Sequence, residues 1–297
     1  GISIETVRAA RLGINPTTKA HGQTVKVGVI EHAAYVNHED LVNKVIPEPN
    51  QTQVLIISSP LDPNHGTAVL GIIGAENNNF GVTGIADGAQ LYFFPIVSRE
   101  EGSRLPQATA NAIIEFSEGD VINMSIGFGG GATIPSDPTM FTLISLGTQA
   151  GITFVISAGD SASPVQAAPE GQEGDSGAII VGACWPGFQV GQLSDAVSVP
   201  GPLPGFNYCR LNFSNFTDLD NATASGVVHV AAWGTGVTST GYGELFHGTN
   251  TSTDPLQVNR LRSYTAAFNG TSAAAPLISG FTARLQSFAK AYFGVPV

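Results

Sequence analysis

A serine attacks a carbonyl when a base takes its proton, a third group holds the base, and a donor receives the charge forming on oxygen. Several residues of this chain have the types and local settings for that chemistry. Ser272 lies in Asn269-Gly270-Thr271-Ser272-Ala273-Ala274-Ala275-Pro276. The Asn-Gly pair signals a turn, and Thr271 or Ser272 can cap a helix after it. Leu277, Phe281, Leu285 and Phe288 then recur at helical spacing, which predicts a helix from Ala273 to Lys290. Ser272 would stand at its N-terminus, where backbone N–H groups favour negative charge. The plain alternative is an ordinary capping serine. His65 opens a second helix-like stretch, Asn64-His65-Gly66-Thr67-Ala68-Val69-Leu70-Gly71. Taken alone, such a histidine is more often a surface or satisfied core residue. Glu31 ends the apolar run Thr24 to Ile30, and Asp160 comes shortly after the run Ile152 to Ser157. Catalytic groups of open α/β sheets sit at such carboxyl ends of strands.

The remaining elements must position these groups. Further strands are predicted at Gln53 to Ile57, Ala89 to Ile96, Val121 to Met124, Ala178 to Cys184, Val227 to Trp233 and Gly236 to Ser239. Helices are predicted at Pro106 to Phe116 and, after the capping pair Asp137-Pro138, at Thr139 to Gln149. This alternation implies an α/β fold with a mainly parallel central sheet and helices on both faces. Residues 1–23 read as an irregular arm, Cys184 to Gly226 as loop-rich, and a long loop precedes the serine stretch. With no repeat, linker or low-complexity segment, residues 1–297 are expected to form one domain.

Of the 297 residues, 42% are hydrophobic, too many for a disordered chain despite 36 glycines and 18 prolines. The net charge of -11 argues against nucleic acid or an anionic membrane as partner. No apolar run reaches spanning length. The start at Gly1 suggests a processed, mature form. Sequons at Asn50, Asn212, Asn215, Asn221 and Asn250 favour a secreted glycoprotein; those at Asn123 and Asn269 lie inside motifs and are discounted. The two cysteines, Cys184 and Cys209, are then expected to form a disulfide, with two buried thiols as the alternative.

The serine stretch resembles the serine motif of the subtilisin-like proteases (subtilases), Gly-Thr-Ser-x-Ala-x-Pro, in full. His65-Gly66-Thr67 resembles their histidine motif, and His38-Glu39-Asp40-Leu41 resembles a segment beyond their catalytic carboxylate. Carboxylate, histidine and serine appear in the family's order, and the resemblance covers nearly the whole chain. It implies an endopeptidase with Ser272 as nucleophile, His65 as general base and Glu31 as its orienter, acting on protein or peptide substrates. It also implies a monomer that uses its own pro-region during maturation. Asp120 to Gly127 resembles the family's substrate-pairing segment, so Ser125, Ile126 and Gly127 would lie beside the substrate backbone, with Arg99 to Arg104 as the opposite wall. No cofactor is implied for catalysis. The loop from Glu76 to Val82 is similar to one that holds a structural calcium in the family. Asp40 and Asn78 would offer side-chain oxygens, and Glu76, Phe80 and Val82 backbone oxygens.

Two positions depart from the family pattern. Glu31 stands where the family has aspartate, one methylene shorter. Asp160 stands where it has an oxyanion-binding asparagine. An ionised aspartate has no proton to donate, whereas a protonated one does. The sedolisins, acid-active relatives, have aspartate in the oxyanion hole and glutamate among their catalytic carboxylates. Asp160 must hold a proton and His65 must lack one, so activity is expected as a bell on the acid side of neutrality, roughly pH 4–6. The competing expectation is a catalytically silent subtilase-like protein that binds peptides. A lipase-type hydrolase lacks its nucleophile-elbow signature here.

Overall fold

The computed structural model describes residues 20–55, 62–172, 174–186, 209–221, 226–248 and 260–297. Seven strands form its centre: β1 (Lys26–Glu31), β2 (Val45–Pro47), β3 (Gln90–Pro95), β6 (Val121–Met124), β7 (Thr153–Ser157), β8 (Ile179–Cys184) and β9 (Val230–Trp233). They make one sheet in the order β2-β3-β1-β6-β7-β8-β9. All its neighbours pair in parallel. Two short ribbons, β4 (Val97–Ser98) with β5 (Gly102–Ser103) and β10 (Val237–Thr240) with β11 (Tyr264–Phe268), are antiparallel.

Alternate strand residues enter two cores, as the pleat dictates. Val27, Val29, Val121, Val155 and Val181 pack with α1 (Pro63–Gly74) and α4 (Thr271–Phe293) on one face. Ile30, Ile122, Met124, Phe154 and Ile156 pack with α2 (Leu105–Glu115) and α3 (Pro138–Gln149) on the other. From β1 the chain crosses to the edge strand β2, inserts β3 between β2 and β1, and then crosses to β6 and fills the other side outward. The strand order therefore reverses between β1 and β6, and open α/β sheets form a crevice at the carboxyl ends of such strands.

The predicted alternation is present, with element ends shifted by a few residues. Asp137 caps α3 by accepting from Met140 N–H. Of the strand expected over Gln53 to Ile57, only an isolated bridge from Gln53 to Ser98 is found; residues 56–57 lie outside the described ones. Strands β2 and β11 escape the sequence pattern. The first is too short to show a period, and the Ala266-Ala267 pair blurs alternation in the second.

The expected disulfide is absent: Cys184 is a buried free thiol and Cys209 an exposed one. Cys184 pairs with Arg210 in an antiparallel bridge, and Trp185 N–H donates to the Cys209 carbonyl. Adjacent strand residues point to opposite faces, so the two thiols diverge. The sequon at Asn215 is also structural, since that residue is 1% exposed. Asn50 and Asn212 are exposed. The side chain of Asn221 and all of Asn250 lie outside the described residues.

Candidate active site

Glu31 is the last residue of β1 and is 1% exposed. His65 reaches it from the first turn of α1. Asp62 caps that helix by accepting from Asn64 N–H, and Pro63 supplies its first turn. His65 Nδ1 lies 2.8 Å from Glu31 Oε2. The close approach depends on Gly66. A Cβ there would meet the Ala33 carbonyl oxygen at 2.3 Å and Glu31 Cγ at 2.9 Å. The extra methylene of glutamate is thus taken up beside Gly66. Glu31 Oε1 accepts from His32 N–H at 2.7 Å and lies 2.8 Å from His32 Nδ1.

These contacts set the charges. Burial pushes the Glu31 carboxyl up, but the charge of His65 and the bonds from His32 and His65 outweigh it and hold the group at about 2. Burial pushes His65 down, while the charge and bond of Glu31, followed by the charges of Asp160 and Asp62, raise it above the ordinary histidine value. The His65 ring also meets Phe268 edge-on, with centroids 5.4 Å apart. Phe268 ends β11, so the strand that braces the histidine leads directly into Asn269-Gly270-Thr271-Ser272.

Helix α4 begins at Thr271, with Gly270 before it at φ 102°. Neither Thr271 nor Ser272 caps it, contrary to one expectation. The cap comes from another strand end: Asp160 Oδ1 accepts from Thr271 N–H at 2.8 Å. Thr271 Oγ1 in turn accepts from Gly159 N–H. A Cβ at 270 would lie 2.7 Å from Asp160 Oδ2, so this position needs glycine for both its φ and its space. Ser272 is half-buried, and its hydroxyl donates to the Ser125 carbonyl at 3.1 Å. Ser125 Oγ returns a bond to the Ser272 carbonyl at 3.2 Å.

Ser125 comes directly after β6 and is held by buried groups the motifs did not single out. Asn123 Nδ2 donates to Ser125 Oγ, and Ser279 Oγ on α4 donates to Asn123 Oδ1. Ile126 is buried in the core, while Gly127 is exposed. Of the opposite wall, Arg104 is buried, with its guanidinium forked onto Glu48 at 2.6 and 2.7 Å. Asn215 holds the loop that carries Asp160. Its Nδ2 donates to the Ala158 carbonyl, and its Oδ1 accepts from Ser161 and Ser163 N–H.

The residues matched to a calcium loop also gather. Asp40 is fully buried; its Oδ1 accepts from Asn78 Nδ2 at 3.0 Å and its Oδ2 from Val82 N–H at 2.9 Å. Phe80 N–H donates to Asn78 Oδ1, and Asn43 Nδ2 donates to the Glu76 carboxylate at 3.5 Å. Among the described residues no three acidic, histidine or cysteine side chains converge as a metal group. The hard oxygens of Asp40 and Asn78 nonetheless suit calcium in kind.

The chain is 29% identical to subtilisin E of Bacillus subtilis (strain 168) over 225 residues, which cover 70% of this chain and 56% of that protein. It is 28% identical to a subtilisin of Bacillus pumilus over 225 residues, covering 70% and 77%. The chain thus spans little more than half the length of subtilisin E. Among solved structures, a mutant of the protease domain of PatA superposes with a TM-score of 0.61 at 18% identity, covering 92% of this chain and 83% of that one. A cold adapted subtilisin-like serine proteinase gives 0.56 at 18%, covering 95% and 81%. At such identities the structures speak for the fold. A model of the Subtilase family (peptidase S8) matches residues 22–295, and the chain belongs to that family.

Proposed function

We propose that the chain is a secreted serine endopeptidase working through an acyl-enzyme, with Ser272 as nucleophile, His65 as base and then acid, and Glu31 as orienter. The observation carrying this reading is the 2.8 Å contact between His65 Nδ1 and buried Glu31 at the sheet's switch point. With Nδ1–H donated to Glu31, Nε2 keeps a lone pair for the Ser272 proton. Ser272 Oγ then bonds to the substrate carbonyl carbon, the C–N bond breaks, and His65 passes the proton to the leaving amine. Water repeats the sequence to release the acid.

In this structure the hydroxyl of Ser272 rests on the Ser125 carbonyl. Ser125, Ile126 and Gly127 are proposed to pair with the substrate backbone. A substrate N–H that takes the Ser125 carbonyl would release the hydroxyl toward His65. The oxyanion donors are the backbone N–H of Ser272 and a protonated Asp160, through the oxygen that Thr271 does not engage. Asp160 must be protonated and His65 neutral, so activity is proposed on the acid side of neutrality. The raised histidine lowers the fraction of molecules in that state.

A calcium at Asp40 and Asn78 would tie the 76–82 loop down and take no part in the chemistry; the Asn78 amide would have to present its oxygen. Secretion is supported by the exposed sequons at Asn50 and Asn212. Working as a monomer and maturation with its own pro-region complete the proposal; a solved relative is described as a self-cleaved protease domain of PatA. The second reading, a silent peptide binder, draws on the bond that engages the Ser272 hydroxyl with the Ser125 carbonyl. Incubation with a denatured protein, followed by mass spectrometry, separates them. New termini with wild type and none with Ser272→Ala support the peptidase. Retained, uncut peptide with both supports the binder.

A further inference from the structure

Glu31 serves two histidines. His65 occupies Oε2, while Oε1 is gripped twice by the next residue, through His32 N–H at 2.7 Å and His32 Nδ1 at 2.8 Å. A glutamate has one more torsion than an aspartate, so its carboxylate can rotate away from a fixed partner. The side chain of His32 is 23% exposed, so its contact with the carboxylate is not forced by core packing. The plain role for a polar residue after a strand end is a solvated loop position. Two donors from one residue on one buried carboxylate oxygen are more than that role requires.

We infer that His32 is a positioning residue for the proposed triad, fixing the carboxylate of Glu31 so that one oxygen faces His65 and competing with His65 for its charge. The inference rests on the peptidase reading for its effect on turnover, and on geometry alone for its effect on His65. Other charged and titratable groups surround the pair. Asp160 and Asp62 act on His65 from the β7 loop and the α1 cap. Tyr242 faces Glu31 and Asp62 from the segment after β10. None of these bonds to the Glu31 carboxylate, whereas His32 shares it with His65. Removing the His32 ring leaves the whole charge of Glu31 to His65 and frees the carboxylate to turn.

The test tracks His65 by NMR in the folded protein while a chromogenic peptide reports turnover. In His32→Leu the His65 titration midpoint should rise by roughly half to one pH unit. In the same variant kcat should fall about 10-fold with KM little changed. His32→Asn, whose amide can occupy the Nδ1 position, should restore most of both. A His65 midpoint unmoved in both variants overturns the inference, whatever their thermal stability. So does a shift that His32→Asn fails to reverse, because charge or packing at 32 would then suffice. If wild type does not hydrolyse the peptide but the midpoint moves as stated, the peptidase reading fails and the positioning of Glu31 stands.

Discussion

The two halves of the site are held by different kinds of contact. The base half is complete within the described residues. Glu31 is buried, His65 meets it at 2.8 Å, and His32 secures the other oxygen. The half proposed to hold the nucleophile is engaged elsewhere: Ser272 bonds to the Ser125 carbonyl, and Asp160 bonds to Thr271 N–H. In the first half side chains bond to side chains and fix charge. In the second they bond to backbone groups, one of which, the Ser125 carbonyl, a peptide substrate could take from the serine. Charge preorganisation therefore resides in the sheet and α1, whereas readiness of the nucleophile depends on what occupies the cleft.

The sharpest break of this comparison is on the base side. Glu31→Gln keeps the shape and removes the charge, and should lower kcat by roughly 10³–10⁴-fold. It should also alter stability against pH. The folded value of Glu31 is lowered to about 2, so its contribution is present above the ordinary value of 4.5 and is lost as pH falls from 4.5 toward 2. His65 is raised, so its share of the same contact is present below the ordinary 6.5 and is lost as pH rises through the raised value. Melting temperatures between about pH 2 and 8 should show wild type gaining over Glu31→Gln in the middle of that range. Parallel curves would show that the contact carries no net stability.

On the nucleophile side the expected effect is smaller in size and different in kind. Asp160→Asn supplies a permanent donor, so the alkaline fall of kcat/KM should disappear and the optimum should move toward neutral or alkaline pH. With the carboxyl gone, His65 alone should set the remaining acid limb. An unmoved alkaline limb would mean that Asp160 only caps α4. Smallest is the loop outside both halves. If calcium binds at Asp40 and Asn78, chelation should lower the melting temperature by about 2–4 °C, and Asp40→Asn should abolish that response. An equal response in both proteins would place any ion elsewhere.

The proposed catalytic corner is readable in the sequence because each member carries a local signal. Glu31 ends an apolar run, His65 begins a helix, and Ser272 comes just after an Asn-Gly turn. The features that escape depend on partners distant in the chain. The cap of α4 is Asp160, 111 residues before Thr271, so no local pattern announces it. Asn215 looks like a glycosylation site, yet it props the Asp160 loop through a carbonyl 57 residues away. The cysteine pairing fails for the same reason. Which face Cys209 takes is set by the bridge between Cys184 and Arg210, a matter of register that spacing does not reveal. His32 is legible only as a neighbour of Glu31; its second bond to the carboxylate needs the folded geometry.

The central claim is that Ser272 becomes an activated nucleophile. The most direct measurement is stoichiometric labelling by a serine-directed fluorophosphonate from about pH 4 to 9, with the modified residue located by peptide mapping. The account predicts one label per chain on Ser272, none on Ser272→Ala, and labelling slowed by about 10³-fold or more in His65→Ala. Folded wild type that labels no faster than Ser272→Ala at any pH would contradict it.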